Sequence, residues 1–252
     1  MGRTVLFFGS FNPIHLGHVA MARYLLDGGL ADEAWLVISP QNPFKKSSEL
    51  APEERRLAMA RLAAGEGTVV CDVEFSMPRP SYTIDTLRRL RAEHPDREFA
   101  ILIGSDNLAQ LGSWREGGKL LAECDFLLYP REGWPLPSVL PSPRMTALAD
   151  APLWPYSSTA VRQALREGGG EQMVTPEVMA YIKRYNLYGA ASHEVAALLA
   201  EGRALYRAGE LDGALNCFIR VRALDPDHRE AGEFVEQISE IFEFRYKDIY
   251  NP

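Results

Sequence analysis

Two histidines three residues apart, His15 and His18, stand in the stretch Gly9-Ser10-Phe11-Asn12-Pro13-Ile14-His15-Leu16-Gly17-His18, between an apolar run and an amphipathic one. Imidazoles so spaced share one face of a helix's first turn, where unpaired N–H groups and the helix dipole already favour an anion. Phosphate binding is the chemistry this implies. Gly17 removes a side chain where a phosphate or nucleotide has to approach, and Gly9, Ser10 and Phe11 offer backbone donors. The same histidines would also serve as helix caps or metal ligands. A second stretch, Tyr156-Ser157-Ser158-Thr159-Ala160-Val161-Arg162, has Ser158 and Thr159 as apt N-caps and Arg162 one turn in, able to fork onto phosphate oxygens. Alone it reads as an ordinary cap; beside the histidines it points to a polyphosphate.

The elements that must position these residues follow from periodicity. Short apolar runs at Thr4 to Phe8, Ala34 to Ile38, Val69 to Phe75, Phe99 to Ile103 and Phe126 to Tyr129 read as buried strands. Between them lie helix-period segments: Leu16 to Leu26, one opening with Pro52 as N1 residue before Glu53 and Glu54, and Thr83 to Ala92. Fully apolar strands alternating with helices predict an α/β fold, a doubly wound parallel sheet covered on both faces. In such a sheet ligands bind at the carboxyl ends of the strands, which is where the His15 loop falls. Residues 132–156, with six prolines, read as a surface loop leading to one short strand near Leu153. Helices follow at Thr159 to Glu167 and Pro176 to Tyr185.

Strand signals stop after Ala191. We expect a catalytic domain over residues 1–190 and a small all-α extension over 191–252. Leu198, Gly202, Tyr206, Ala214, Phe218 and Pro226 are spaced as in one tetratricopeptide repeat, and Arg229 to Tyr246 would form a capping helix. The small Gly202 and Ala214 would let two antiparallel helices approach, with Phe218 filling between them. A lone repeat buries too little to stand independently, so the tail is expected to pack on the catalytic domain, on a second subunit or on a partner protein.

At 252 residues, 46% hydrophobic and 24% charged, the chain can bury a real core, which excludes a disordered or fibrous protein. No apolar run approaches the roughly 18 residues of a membrane helix, and the start suits neither a signal peptide nor N-myristoylation. Cys71, Cys124 and Cys217 are odd in number and scattered, which fits a reducing cytoplasm. A net charge of -7 offers no field for nucleic acid. Residues 190–252 hold 7 basic against 12 acidic side chains, so the last quarter carries most of the acidity.

The His-Leu-Gly-His element resembles the signature of the nucleotidyltransferase superfamily of adenylyl- and cytidylyltransferases, and Ser157 to Arg162 is similar to its second phosphate motif. Three further stretches resemble nicotinate-mononucleotide adenylyltransferases: Ser81-Tyr82-Thr83-Ile84-Asp85-Thr86-Leu87, Ile103-Gly104-Ser105-Asp106-Asn107 with Trp114 downstream, and Val178 to Tyr188. The resemblance spans about residues 4–189 and implies a Rossmann-like fold. It implies that His15, His18, Lys45 and Arg162 hold phosphates, that Gly104 and Asp106 face the nucleotide, and that Tyr82, Thr83 and Trp114 surround a pyridine ring whose carboxylate meets mainly main-chain N–H groups. The chain departs from the family pattern at Gly9, which follows Phe8 instead of another glycine, at Asn12, which stands for a frequent aspartate, and at Phe44, where a histidine is common. Tyr129-Pro130-Arg131 only approximates the expected strand end.

The resemblance thus implies adenylyl transfer from ATP to nicotinate mononucleotide, with Mg²⁺ carried by the ATP phosphates because no acidic cage is visible. Nicotinamide mononucleotide and phosphopantetheine are the alternative acceptors. A nucleotide-binding scaffold acting through its tail, by homo-oligomer or protein contact, is the competing reading from another class.

Overall fold

A computed structural model describes residues 2–40 and 50–249 of the chain. The apolar runs become six parallel strands: β1 (Gly2–Gly9), β2 (Glu33–Ile38), β3 (Thr68–Cys71), β4 (Arg97–Gly104), β5 (Asp125–Tyr129) and β6 (Met145–Ala147). Their order is β3-β2-β1-β4-β5-β6, with β1 flanked by β2 and β4 so that Phe7 lies opposite Leu36 on one side and Leu102 on the other. The order reverses between β1 and β4. At such a switch point the connections depart to opposite sides and leave a crevice beyond the strand ends.

Helices fill the crossovers: α1 (Leu16–Asp27), α2 (Glu53–Ala63), α3 (Thr83–Glu93), α4 (Ser105–Leu108) and α5 (Gly117–Glu123). Alternation along the strands sends Leu6, Trp35, Val37, Ile101, Ile103, Phe126 and Leu128 into one apolar cluster with Ile84, Leu87 and Leu90 of α3 and Leu120 of α5. Burial of that apolar surface, about 25 cal/mol per Å², holds the sheet edge rigid under the site. The doubly wound parallel sheet expected from periodicity is therefore present.

Three local expectations need correction. The strand read from Val69 to Phe75 ends at Cys71, and Val73–Ser76 closes into a single 3-10 turn, so an apolar run concealed a change of backbone. The last strand is β6 and not a segment near Leu153, which is 58% exposed in a loop; the three residues of β6 are too few to show a period of two. Pro52 occupies the N-cap of α2 instead of its first helical position.

The second half is helical: α6 (Ser158–Arg166), α7 (Pro176–Arg184), α8 (Ser192–Ala208), α9 (Leu211–Leu224) and α10 (Arg229–Ile249). The chain packs as two compact units, Met1–Val161 with Met173–Thr175, and Arg162–Gln172 with Pro176–Pro252. The division falls inside α6, earlier than the boundary at 190 read from the loss of strand signals, because α7 packs with α9 and His193 lies against Gly168. Within the second unit, α8 and α9 form an antiparallel hairpin whose αL turn at Gly209 has φ +79. A Cβ at Gly202 would meet the Phe218 ring at 3.0 Å, so the glycine sets the close approach, and Phe218 stacks on Phe234 of α10 at 4.4 Å. No helix among the described residues is long and apolar enough to cross a membrane.

Candidate active site

The Gly9–His18 loop leaves β1 at the switch point. Phe11 takes a left-handed backbone, φ +44, a conformation that costs a non-glycine residue about 1–3 kcal/mol and is held only where surroundings enforce it. Here it sets the Phe11 ring edge-on to His18 at 4.9 Å between centroids. His15 is the N-cap of α1 and His18 its third residue; the His15 N–H donates to His18 Nδ1 at 3.2 Å, and the two imidazoles stack at 3.6 Å. The sequence spacing thus does bring the rings together. A Cβ at Gly17 would lie 3.1 Å from His15 Nδ1 and 3.3 Å from Tyr156 Cβ, so the glycine also makes room for the imidazole.

Burial, and secondarily the charge of Arg131, push the His15 pKa down to about 3. The ring is therefore neutral near pH 7 and offers its surroundings an N–H dipole, not a cation. Ser10 Oγ and His15 Nδ1 are the buried side-chain polar atoms without a hydrogen-bond partner among the described residues; the His18 N–H is engaged by the His15 carbonyl at 2.9 Å. Such orphans cost about 1–3 kcal/mol each, and both sit in one loop. Stability alone gives no reason to keep them there.

What holds the loop was not legible in any motif. Arg56 of α2 is 1% exposed and donates to four carbonyl groups: Ser10 O at 2.7 Å, Ser39 O at 2.8 Å, Pro40 O at 2.7 Å and Ala51 O at 3.0 Å. One guanidinium fork therefore ties the loop to the end of β2 and the start of α2. Asn12 adds a second tie by accepting the Ala51 N–H at 3.0 Å. The available signal was that Arg56 falls in register with Met59, Ala60 and Ala63, on the buried stripe of its helix.

Two cavities of about 340 Å³ each open at this edge and share Phe7 and Tyr129, whose rings stand 6.3 Å apart. The histidine-side cavity is lined by His15, His18, Arg131, Trp154, Tyr156 and Ser157. Arg131, just past β5, was read only as part of a poorly matching strand end; it is a cation in this cavity, with its N–H bonded to Ser105 Oγ at 2.9 Å and its Nε 3.9 Å from Asp106 Oδ1. The cap of α6 also differs from expectation. Ser157 Oγ accepts the Ala160 N–H at 3.1 Å, whereas Ser158 Oγ donates to Pro13 O at 3.0 Å and so fastens the helix start to the histidine loop. Thr159 is exposed. Arg162 follows one turn later on α6 as the first residue of the second unit. Lys45 lies outside the described residues.

The second cavity is walled by aromatic rings together with polar groups. Tyr82, Thr83, Gly104, Trp114 and Gly9, all predicted site residues, line it with Ile103, Asn107 and Arg115. A Cβ at Gly104 would collide with Asp106 Oδ1 and stand 3.0 Å from Arg131 Cγ, so a larger residue there would have to displace those side chains. Asp106 lies behind it, accepting from Asn107 Nδ2 at 3.1 Å. The Ser81–Thr83 segment is anchored by Glu74, a carboxyl 2% exposed that accepts from Ser81 Oγ at 2.5 Å and Thr86 Oγ1 at 2.8 Å. Burial raises the Glu74 pKa, opposed by those hydroxyls and that of Ser39. No group of three or more His, Cys, Asp or Glu among the described residues is placed to cage a metal.

The cytidylyltransferase-like family model matches residues 6–164. A protein named probable nicotinate-nucleotide adenylyltransferase in Bacteroides fragilis is 45% identical over 169 residues, which cover 66% of this chain and 83% of that relative. Its namesake in Bacteroides thetaiotaomicron is 40% identical over 186 residues, 73% of this chain and 92% of that one. Among solved structures, a Plasmodium falciparum nicotinic acid mononucleotide adenylyltransferase complexed with NaAD superposes with a TM-score of 0.64 at 24% identity, covering 75% of this chain and 98% of its own, a likeness of fold. With its switch-point histidine loop set in that fold, the chain belongs to the cytidylyltransferase-like family and, within it, to the nicotinate-nucleotide adenylyltransferases.

Proposed function

We propose that the protein transfers the adenylyl group of ATP to nicotinate mononucleotide, releasing pyrophosphate and forming the deamido dinucleotide. The observation that carries this reading is the adjacency of two unlike cavities at one switch point, a polar one built on stacked imidazoles and an aromatic one, divided by Phe7 and Tyr129. In this reading the triphosphate lies along the histidine side and the pyridine ring on the Trp114 side, where indole and pyridinium gain both stacking and cation–π attraction.

The acceptor's 5′-phosphate oxygen forms a bond to the α-phosphorus in line as the bond to the β-phosphate breaks. A phosphate monoester is already anionic near pH 7, so no protein nucleophile is required; the work lies in positioning two anions and stabilising charge on the departing pyrophosphate. His15 and His18 supply N–H dipoles to the α- and β-phosphates, and Arg131 adds a nearby positive charge. Ser158 and the start of α6 face the same loop. Lys45, Arg162, Thr159 and Asp106 keep the nucleotide roles that the family resemblance gives them. Mg²⁺, which favours phosphate oxygens and water, would neutralise charge on the triphosphate when bound with ATP. We place the reaction in a reducing compartment, in keeping with Cys71, Cys124 and Cys217 as unpaired, buried thiols.

The test is product analysis. The full chain with ATP, Mg²⁺ and nicotinate mononucleotide should yield pyrophosphate and the deamido dinucleotide in equal amounts; pyrophosphate without dinucleotide, or neither, overturns the proposal.

A further inference from the structure

We propose that Arg115 is a specificity-determining residue that favours an acceptor bearing a carboxylate over one bearing a carboxamide on its pyridine ring. This rests on the aromatic cavity being the acceptor site. Of the described residues lining that cavity, only Glu74 and Arg115 carry charge. Glu74 has both carboxyl oxygens occupied by hydroxyl donors, as above, and so is spent on holding the Ser81–Thr83 segment. Arg115 follows Trp114 directly, and its guanidinium lies over the Tyr82 ring, 4.8 Å from the centroid. It therefore stands beside the two aromatic residues that would flank a pyridine.

Its existing partner holds it weakly. Arg115 Nη1 is 3.3 Å from Asp85 Oδ2, a single contact between side chains 54% and 33% exposed. Asp85 is shared with Arg88 at 3.4 Å, although Arg88 is itself gripped by both oxygens of Glu116 at 2.9 and 2.7 Å. Exposed single-contact ion pairs contribute little, so turning the guanidinium from Asp85 to a substrate anion costs little. The Tyr82 face keeps the planar group near the cavity meanwhile.

Main-chain N–H groups can donate to a carboxylate oxygen or to an amide oxygen in the same geometry, more strongly to the charged one. A guanidinium distinguishes them, since a carboxylate offers a full charge in bidentate geometry and an amide presents a single neutral oxygen beside a donor that repels the cation. Arg115 thus adds a full opposite charge to the weaker discrimination that backbone groups provide.

The experiment measures kcat/KM for nicotinate and nicotinamide mononucleotides at saturating ATP for the full chain and for Arg115→Gln and Arg115→Lys. Replacing Arg115 by Gln should lower the value for the carboxylate acceptor about tenfold and leave the amide acceptor within about twofold, so the preference narrows about tenfold. Arg115→Lys should keep most of the preference, and the KM for ATP should not move. Added salt should shrink the wild-type preference and leave that of Arg115→Gln unchanged. An unchanged ratio in Arg115→Gln, or equal losses for both acceptors, overturns the role of Arg115 while leaving adenylyl transfer standing. A wild-type chain that makes neither dinucleotide overturns the acceptor reading and this inference together.

Discussion

The two cavities beside Phe7 and Tyr129 are built on opposite principles. The histidine-side cavity depends on backbone: a left-handed Phe11, a histidine N-cap and a loop whose carbonyls are collected by buried Arg56. The aromatic cavity depends on side chains, with Tyr82 and Trp114 presenting ring faces and one carboxyl, Glu74, fastening the segment beneath. A charge-transferring site gains from dipoles that need no reorganisation, whereas a ring-binding site gains from area and shape. Damage should therefore fall on turnover in the first and on affinity in the second.

The largest effect is expected at His18. His18→Ala should lower kcat about 100-fold, the scale of losing one preorganised electrostatic contact, with circular dichroism unchanged. A near-normal kcat would remove the histidine pair from the account. Next is Arg56→Lys, which leaves carbonyls such as Pro40 O or Ala51 O without a donor; kcat should fall about tenfold and the melting temperature by several degrees. A variant that melts earlier yet turns over normally would make Arg56 a purely structural residue.

On the aromatic side, Trp114→Ala should raise the KM for the pyridine mononucleotide about tenfold and spare the KM for ATP. Equal loss for both ligands would reassign the indole to the apolar core. The smallest effect concerns acid stability. Unfolded His15 takes up a proton below about pH 6.5, while the folded ring stays neutral to about pH 3, so stability falls as pH drops through that window, by at most about 1.4 kcal/mol per unit. His15→Asn should flatten that slope in denaturant titrations between pH 6 and 4; an identical slope would mean that the ring is not held neutral by the fold.

The same contrast explains what was readable beforehand. His15, Gly17 and His18 fall within four residues of a strand–turn–helix, so spacing alone implied a phosphate loop, and the buried strands β1, β2, β4 and β5 announced themselves by uninterrupted apolar runs. Tyr82, Thr83 and Trp114 became interpretable only through family resemblance, because aromatic residues at irregular spacing look like core. Arg56 and Arg131 escaped notice for a different reason: their partners are carbonyls or groups distant in the chain, such as Ser10 O 46 residues away, and a carbonyl leaves no side-chain pattern. The cap at Ser157 was one residue off because three adjacent hydroxyls are equally suited to it until the helix axis is known. For β6, three residues in a proline-rich stretch carry too little periodicity to be placed.

The most direct test of the division of labour is a single-turnover experiment with excess enzyme, labelled ATP and saturating nicotinate mononucleotide. The account predicts that His18→Ala forms dinucleotide about 100 times more slowly than wild type while Trp114→Ala, once saturated, approaches the wild-type rate. A slow Trp114→Ala beside a normal His18→Ala would contradict it.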